Sequence, residues 1–144
     1  MTVRKILDDK SGDVLLATAD ATIAVTVAAM CARGVGSAVV VDAGGMPVGI
    51  LTERDVLREF ARHGDKLGMK TTGDLMSSPV QTTTPDASIQ SVMQQMTRHR
   101  FRHVPVVDGG RLVGIISIGD VVKARLQETE AEAESMRQYI ATSY

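Results

Sequence analysis

Apolar and polar positions along this chain follow a pattern that occurs twice. Residues 14–17 form a short apolar run, which predicts a strand. Asp20 follows as a candidate helix N-cap, and Ile23, Val27 and Met30 then fall on one helical stripe. Two β-branched runs, 38–42 and 48–51, flank the turn Ala43-Gly44-Gly45 and predict a hairpin. A closing helix is expected from near Thr52. The same signals return in the second half: an apolar run at 80–83, Asp86 as N-cap, and the stripe Ile89, Met93 and Met96. A second hairpin is predicted from 104–108 and 112–116 around Gly109-Gly110, and a second closing helix from near Ser117. A short helical piece precedes each copy, Val3 to Leu7 and Gly73 to Met76.

The two copies align residue by residue. Asp20-Ala-Thr-Ile matches Asp86-Ala-Ser-Ile, and Met30 matches Met96, at an offset of 66 positions. One residue is lost in the glycine turn, so Val48-Gly-Ile-Leu-Thr-Glu-Arg-Asp55 matches Val113-Gly-Ile-Ile-Ser-Ile-Gly-Asp120 at an offset of 65. The expected fold class is therefore α/β (α+β): two β-α-β-β-α repeats packed through their sheets, plus a long C-terminal helix. A unit of about 60 residues buries too little apolar surface to stand comfortably alone, so the copies should pack on each other. The expected boundaries are 1–63 for the first repeat, 64–70 for a linker, 71–126 for the second repeat and 127–144 for a helical extension.

Candidate chemistry lies where each hairpin meets its closing helix. Both helices open with hydroxyl-x-x-Asp, Thr52 to Asp55 and Ser117 to Asp120. That spacing is a capping box, in which hydroxyl and carboxylate satisfy the first backbone donors. A strand running into a helix N-terminus also gathers free N–H groups and the positive dipole end at one point, suited to a phosphate. The hydroxyl could donate to a phosphate oxygen, and an ionised Asp one turn later could accept from both hydroxyls of a ribose.

With these motifs the chain resembles a CBS-domain pair, or Bateman module, over residues 3–126. The resemblance rests on the Asp-x-hydroxyl-Ile helix starts, on Arg102-His-Val-Pro-Val-Val-Asp108, and on the hydrophobic-Gly-hydrophobic-hydrophobic-hydroxyl-x-x-Asp ends. The wording of these turns and the Glu-rich C-terminal helix look most like stand-alone bacterial pairs and their organellar relatives, a group that takes AMP and NAD(H). The resemblance implies ribose binding by Asp55 and Asp120, phosphate contacts from Thr52 and Ser117, and adenine near Leu16 or Thr82 beside the neighbouring short helical piece. It also places Arg102 and His103 opposite the phosphates, with Arg54 as a third cation. The first copy departs from this cationic pattern, carrying Gly36 and Ser37 at the positions of Arg102 and His103.

Beyond the second copy, Val122, Leu126, Thr129, Ala133, Met136 and Ile140 are spaced as a heptad seam running through an acidic stretch. One side of that helix is expected to be buried against a second subunit, and the resemblance also implies a homodimer.

Composition narrows the choices further. Sixteen basic and seventeen acidic residues leave a net charge of −1, without the basic footprint of a nucleic-acid or anionic-lipid binder. The Arg98–His103 run carries one Phe, too little for a stacking platform. Hydrophobic residues make up 44% of the chain and aromatics 3%, so the core is expected to be aliphatic. No apolar run approaches the roughly 20 residues of a membrane span, and the N-terminus lacks the pattern of a secretory signal, so a cytoplasmic location is expected. One cysteine, Cys31, permits no internal disulfide, and on its Ala-rich helix it reads as a small core residue. His63 and His99 lack partners spaced for metal. Gly34-Val-Gly-Ser follows a helix and precedes a strand, the reverse of a dinucleotide fingerprint, so any NAD(H) would bind through its adenosine half. No nucleophile, base and orienting group converge. The expectation is a non-enzymatic module with no catalytic cofactor and no metal. It would bind AMP, ADP, ATP or NAD(H) between its copies and signal to an unidentified regulated protein. The alternative is a dimerisation or interaction scaffold whose clefts stay empty.

Overall fold

The computed structural model describes residues 1–10 and 14–143. The chain begins with helix α1 (Val3–Asp9). The first copy then runs β1 (Leu16–Ala17), α2 (Ile23–Arg33), β2 (Ser37–Val41), β3 (Pro47–Thr52) and α3 (Glu53–His63). A 3-10 segment, Gly64–Met69, leads to the single turn α4 (Thr72–Leu75). The second copy runs α5 (Ile89–His99), β4 (His103–Asp108), β5 (Arg111–Ser117) and the 25-residue α6 (Ile118–Thr142).

In the first copy β1 pairs parallel to β2, and β2 antiparallel to β3. The second has the β4–β5 hairpin, and its opening strand contracts to one parallel bridge, Thr83 with Val106. Proline explains the contraction. In the first copy Val39 N–H donates to Leu15 C=O at 2.9 Å, but the residue 66 positions beyond Val39 is Pro105, which has no N–H to give. The bridge that survives, Thr83 with Val106, corresponds to the first-copy pair Ala17 with Val40.

The helix caps also differ from expectation. Thr22 and Ser88, not Asp20 and Asp86, are the N-caps of α2 and α5, their hydroxyls accepting from Val25 N–H and Ser91 N–H. A hydroxyl placed directly before the first helical Ile reaches the third N–H of the helix, while the aspartates sit two residues earlier in the preceding turn. Cys31, expected in the core, is exposed. The buried positions of α2 are Ile23, Thr26 and Met30, leaving Cys31 one step past the stripe.

Each short leading helix docks on the copy it does not precede in sequence. Val3 N–H bonds Ala87 C=O and Ile89 N–H bonds Met1 C=O, attaching α1 to the second copy. In the same way Thr72 N–H bonds Ala21 C=O and Ile23 N–H bonds Lys70 C=O, attaching α4 to the first. Side chains repeat the exchange. Leu7 of α1 lies against Gly114, and Met76, the residue after α4, lies against Gly49. At both glycines a Cβ would collide with the docked side chain, which would have to shift to admit it. Val3 and Ile6 thereby enter the second-copy core with Ile89, Val92, Val104 and Val106. In the first copy Leu75 of α4 packs against the core, and a 2.7 Å hydrogen bond joins the buried hydroxyls of Thr26 and Thr72. The two copies are thus tied by exchanged helices.

Candidate nucleotide site between the copies

Register places the two closing turns at equivalent points. Ser37 pairs with Thr52 across the first hairpin, and His103 with Ser117 across the second. The first N–H of α3 donates to Gly36 C=O at 3.0 Å, and the first N–H of α6 to Arg102 C=O at 2.8 Å. Both capping boxes form. Thr52 N–H donates to Asp55 Oδ2 at 2.9 Å while Asp55 N–H donates to Thr52 Oγ1 at 3.3 Å. Ser117 N–H donates to Asp120 Oδ2 at 2.8 Å and Asp120 N–H to Ser117 Oγ at 3.1 Å. A third box, Thr71 with Asp74, caps α4, so at all three of these helix starts the motif serves a structural role.

Between the copies lies a cleft of about 720 Å³, within the range of roughly 300–1,000 Å³ usual for small-molecule sites. The first copy contributes Leu15, Arg33, Gly36 and Ser37; the second contributes His103 and Ser117; α1 adds Leu7, and Lys10 follows it. A smaller pocket of about 110 Å³ adjoins α1, with Asp120 on its wall. Lys10 lines both.

The two aspartates have unlike surroundings. Asp55 is 8% exposed and accepts additionally from Thr52 Oγ1 at 3.0 Å, with the Arg58 guanidinium 3.7 Å away. Asp120 is paired with Lys10 Nζ at 2.8 Å, and the same ammonium donates to Ile115 C=O at 2.9 Å. Burial by itself would raise the Asp120 pKa. The hydrogen bonds from Lys10 and from Ser117 N–H outweigh it and hold the carboxyl below the usual range. His103 titrates below its ordinary value, first because it is buried and then because Lys10 lies nearby.

Among the residues singled out from sequence, Ser117 and His103 line the cleft, and Asp120 borders it through Lys10. Thr52 sits beside the cleft through its pairing with Ser37. Arg54 and Arg102 are exposed. Leu16 and Thr82 do not line this cleft. Leu15 does, while Leu16 lines two other grooves, one of about 280 Å³ that it shares with Leu15 against Val25 and Ala29 of α2. Thr82 is exposed, its carbonyl accepting from Gln95 Nε2 at 3.1 Å. Lys10 and Arg33 were not anticipated. Lys10 meets Asp120 across 110 positions of sequence, a proximity created only by the exchange of α1. No helix among the described residues is long and apolar enough to cross a membrane.

Comparison with known proteins agrees with this architecture. The CBS-domain family model matches residues 3–62 and 73–127. The chain belongs to the CBS-domain family and carries two CBS domains in tandem. It is 36% identical over 137 residues to the mitochondrial CBS domain-containing protein CBSX3 of Arabidopsis thaliana, an alignment spanning 92% of this chain and 66% of that relative. A CBS-domain containing protein from Agrobacterium tumefaciens superposes with a TM-score of 0.80 at 40% identity, covering 86% of this chain and 92% of that one. A CBS domain protein from Pyrobaculum aerophilum, solved in complex with AMP, superposes with a TM-score of 0.73 at 28% identity, covering 83% and 89% of the two chains.

Proposed function

We propose that this protein is a non-enzymatic sensor that binds adenosine nucleotides between its two CBS domains and passes their presence to a regulated partner protein. One observation carries the reading. The cleft gathers a hydroxyl at a helix N-terminus, Ser117, and basic groups, Lys10, Arg33 and His103, from both copies and from the residue following the exchanged helix. That set suits a phosphate, and Asp120 lies beside it to accept ribose hydroxyls. The AMP-bound relative from Pyrobaculum aerophilum supports the ligand class. AMP, ADP, ATP and NAD(H) share the adenosine half that this arrangement would read. Thr52 and Asp55 would provide a second, less cationic site, with the exposed Arg54 and Arg58 on the same helix. A homodimer in the cytoplasm is the assembly and location that complete the proposal.

Equilibrium dialysis with AMP, ADP, ATP and NADH tests it. At least one nucleotide should be retained, and at 100 times its dissociation constant should stabilise the fold by about 2.7 kcal/mol. The complete capping boxes at Thr52 and Ser117 favour one other reading, in which these turns are only helix caps and the protein is a scaffold. Dialysis with no retention of any nucleotide, and unshifted thermal melts, would establish that reading instead.

A further inference from the structure

We propose that Lys10 is a specificity residue of the second-copy site, selecting phosphorylated adenosine ligands over adenosine itself. This rests on the adenosine reading above and adds to it the basis of discrimination. Lys10 Nζ is held between Asp120 Oδ2 at 2.8 Å and Ile115 C=O at 2.9 Å. Its side chain is 33% exposed and that of Asp120 22%, so the pair is partly shielded from water. Asp120 Oδ2 also accepts from Ser117 N–H. A ribose that takes both carboxylate oxygens meets one of them, Oδ2, already engaged by a cation.

The consequence depends on what the ligand carries. Adenosine is neutral. Taking both oxygens of Asp120 with its hydroxyls would displace Lys10 from Oδ2 inside a partly desolvated wall and return nothing for the charge. A nucleotide carries its own anion, and Lys10 already borders the cleft that would receive it. The ammonium can exchange Asp120 for phosphate while the ribose takes the carboxylate. Among the described residues the first copy shows no such lysine. Leu7 and Met76 occupy equivalent places on Gly114 and Gly49, and counting three residues onward from each sets Lys10 against Pro79. Asp55 is instead flanked by Arg58 of its own helix at 3.7 Å. Discrimination by Lys10 is therefore confined to one of the two sites.

The test is calorimetric titration of the full chain, in an Asp55→Ala background that leaves the second-copy site, with AMP and with adenosine. Lys10→Met should lower the AMP-over-adenosine preference on the order of tenfold, with adenosine binding tighter than before the substitution. Lys10→Arg, which keeps the charge, should retain most of the preference and controls for folding. A preference unchanged by Lys10→Met, in protein that binds AMP, overturns the role of Lys10 and leaves the adenosine reading standing. A chain that binds neither ligand, with or without the substitutions, overturns both.

Discussion

Asp55 and Asp120 occupy the same place in two copies of one turn and yet are held by different neighbours. Asp55 is nearly enclosed and bonded within its own capping box, whereas Asp120 faces a lysine delivered by a distant helix. If each accepts ribose hydroxyls, Asp55→Ala and Asp120→Ala should each remove one binding event. Each would weaken its site by about 1.5–3 kcal/mol, the worth of charged hydrogen bonds. The measurement is calorimetric stoichiometry, and the two variants should differ in which nucleotide they lose. His103 gives a pH dependence. Its pKa lies below the ordinary 6.5 in the folded chain because the ring is buried. The unfolded chain thus takes up a proton before the folded one does, and stability falls as pH drops below 6.5 toward the folded value. An anion beside the ring reverses the preference by favouring the charged imidazole. AMP affinity should therefore rise as pH falls below neutrality, and His103→Asn should flatten that slope in titrations at several pH values.

At the scale of elements, the exchange of α1 and α4 gives the molecule its connectivity and brings Lys10 to the cleft. The seat of α1 is the bare backbone at Gly114, with Leu7 filling the space a side chain would need. Gly114→Val should overpack that contact and lower the unfolding free energy by about 1–3 kcal/mol in urea titrations. It should also displace Lys10 from Asp120. The helices, both hairpins and the closing turns were legible in the sequence because each depends on residues close together: a periodic stripe, a glycine turn, a hydroxyl three residues before an Asp. The exchange was not legible, since nothing local in residues 3–9 says which copy they cover. Nor was the loss of the second opening strand foreseen, although Pro105 carried the reason. Its missing N–H matters only once the partner strand is known. The candidate site divides the same way. Ser117, Asp120 and His103 were found from motif and resemblance, while Lys10, Arg33 and the orientation of Leu15 over Leu16 required the packed fold.

For the whole molecule, the main apolar feature of the surface lies on α6. Val122, Leu126, Met136 and Ile140 are 51%, 59%, 62% and 53% exposed in the isolated chain, and Met136 and Ile140 lie beyond the reach of the second-copy sheet. Burying each such side chain is worth roughly 1.5–3 kcal/mol, and a two-fold partner would bury the same stripe twice. Truncation after Arg125 should weaken association, read as a fall in mass by light scattering at dilute concentration, without disturbing the capping boxes of either copy. A monomer mass for the full chain, with α6 helical, would remove the seam from the account. The central claim concerns the cleft, and the most direct measurement is amide chemical-shift mapping during a titration with AMP. The account predicts saturable shifts concentrated at Gly36, Ser37, His103, Ser117 and Asp120, on both walls of the space between the copies. Spectra unchanged at millimolar AMP, or shifts confined to surfaces away from that cleft, would contradict it.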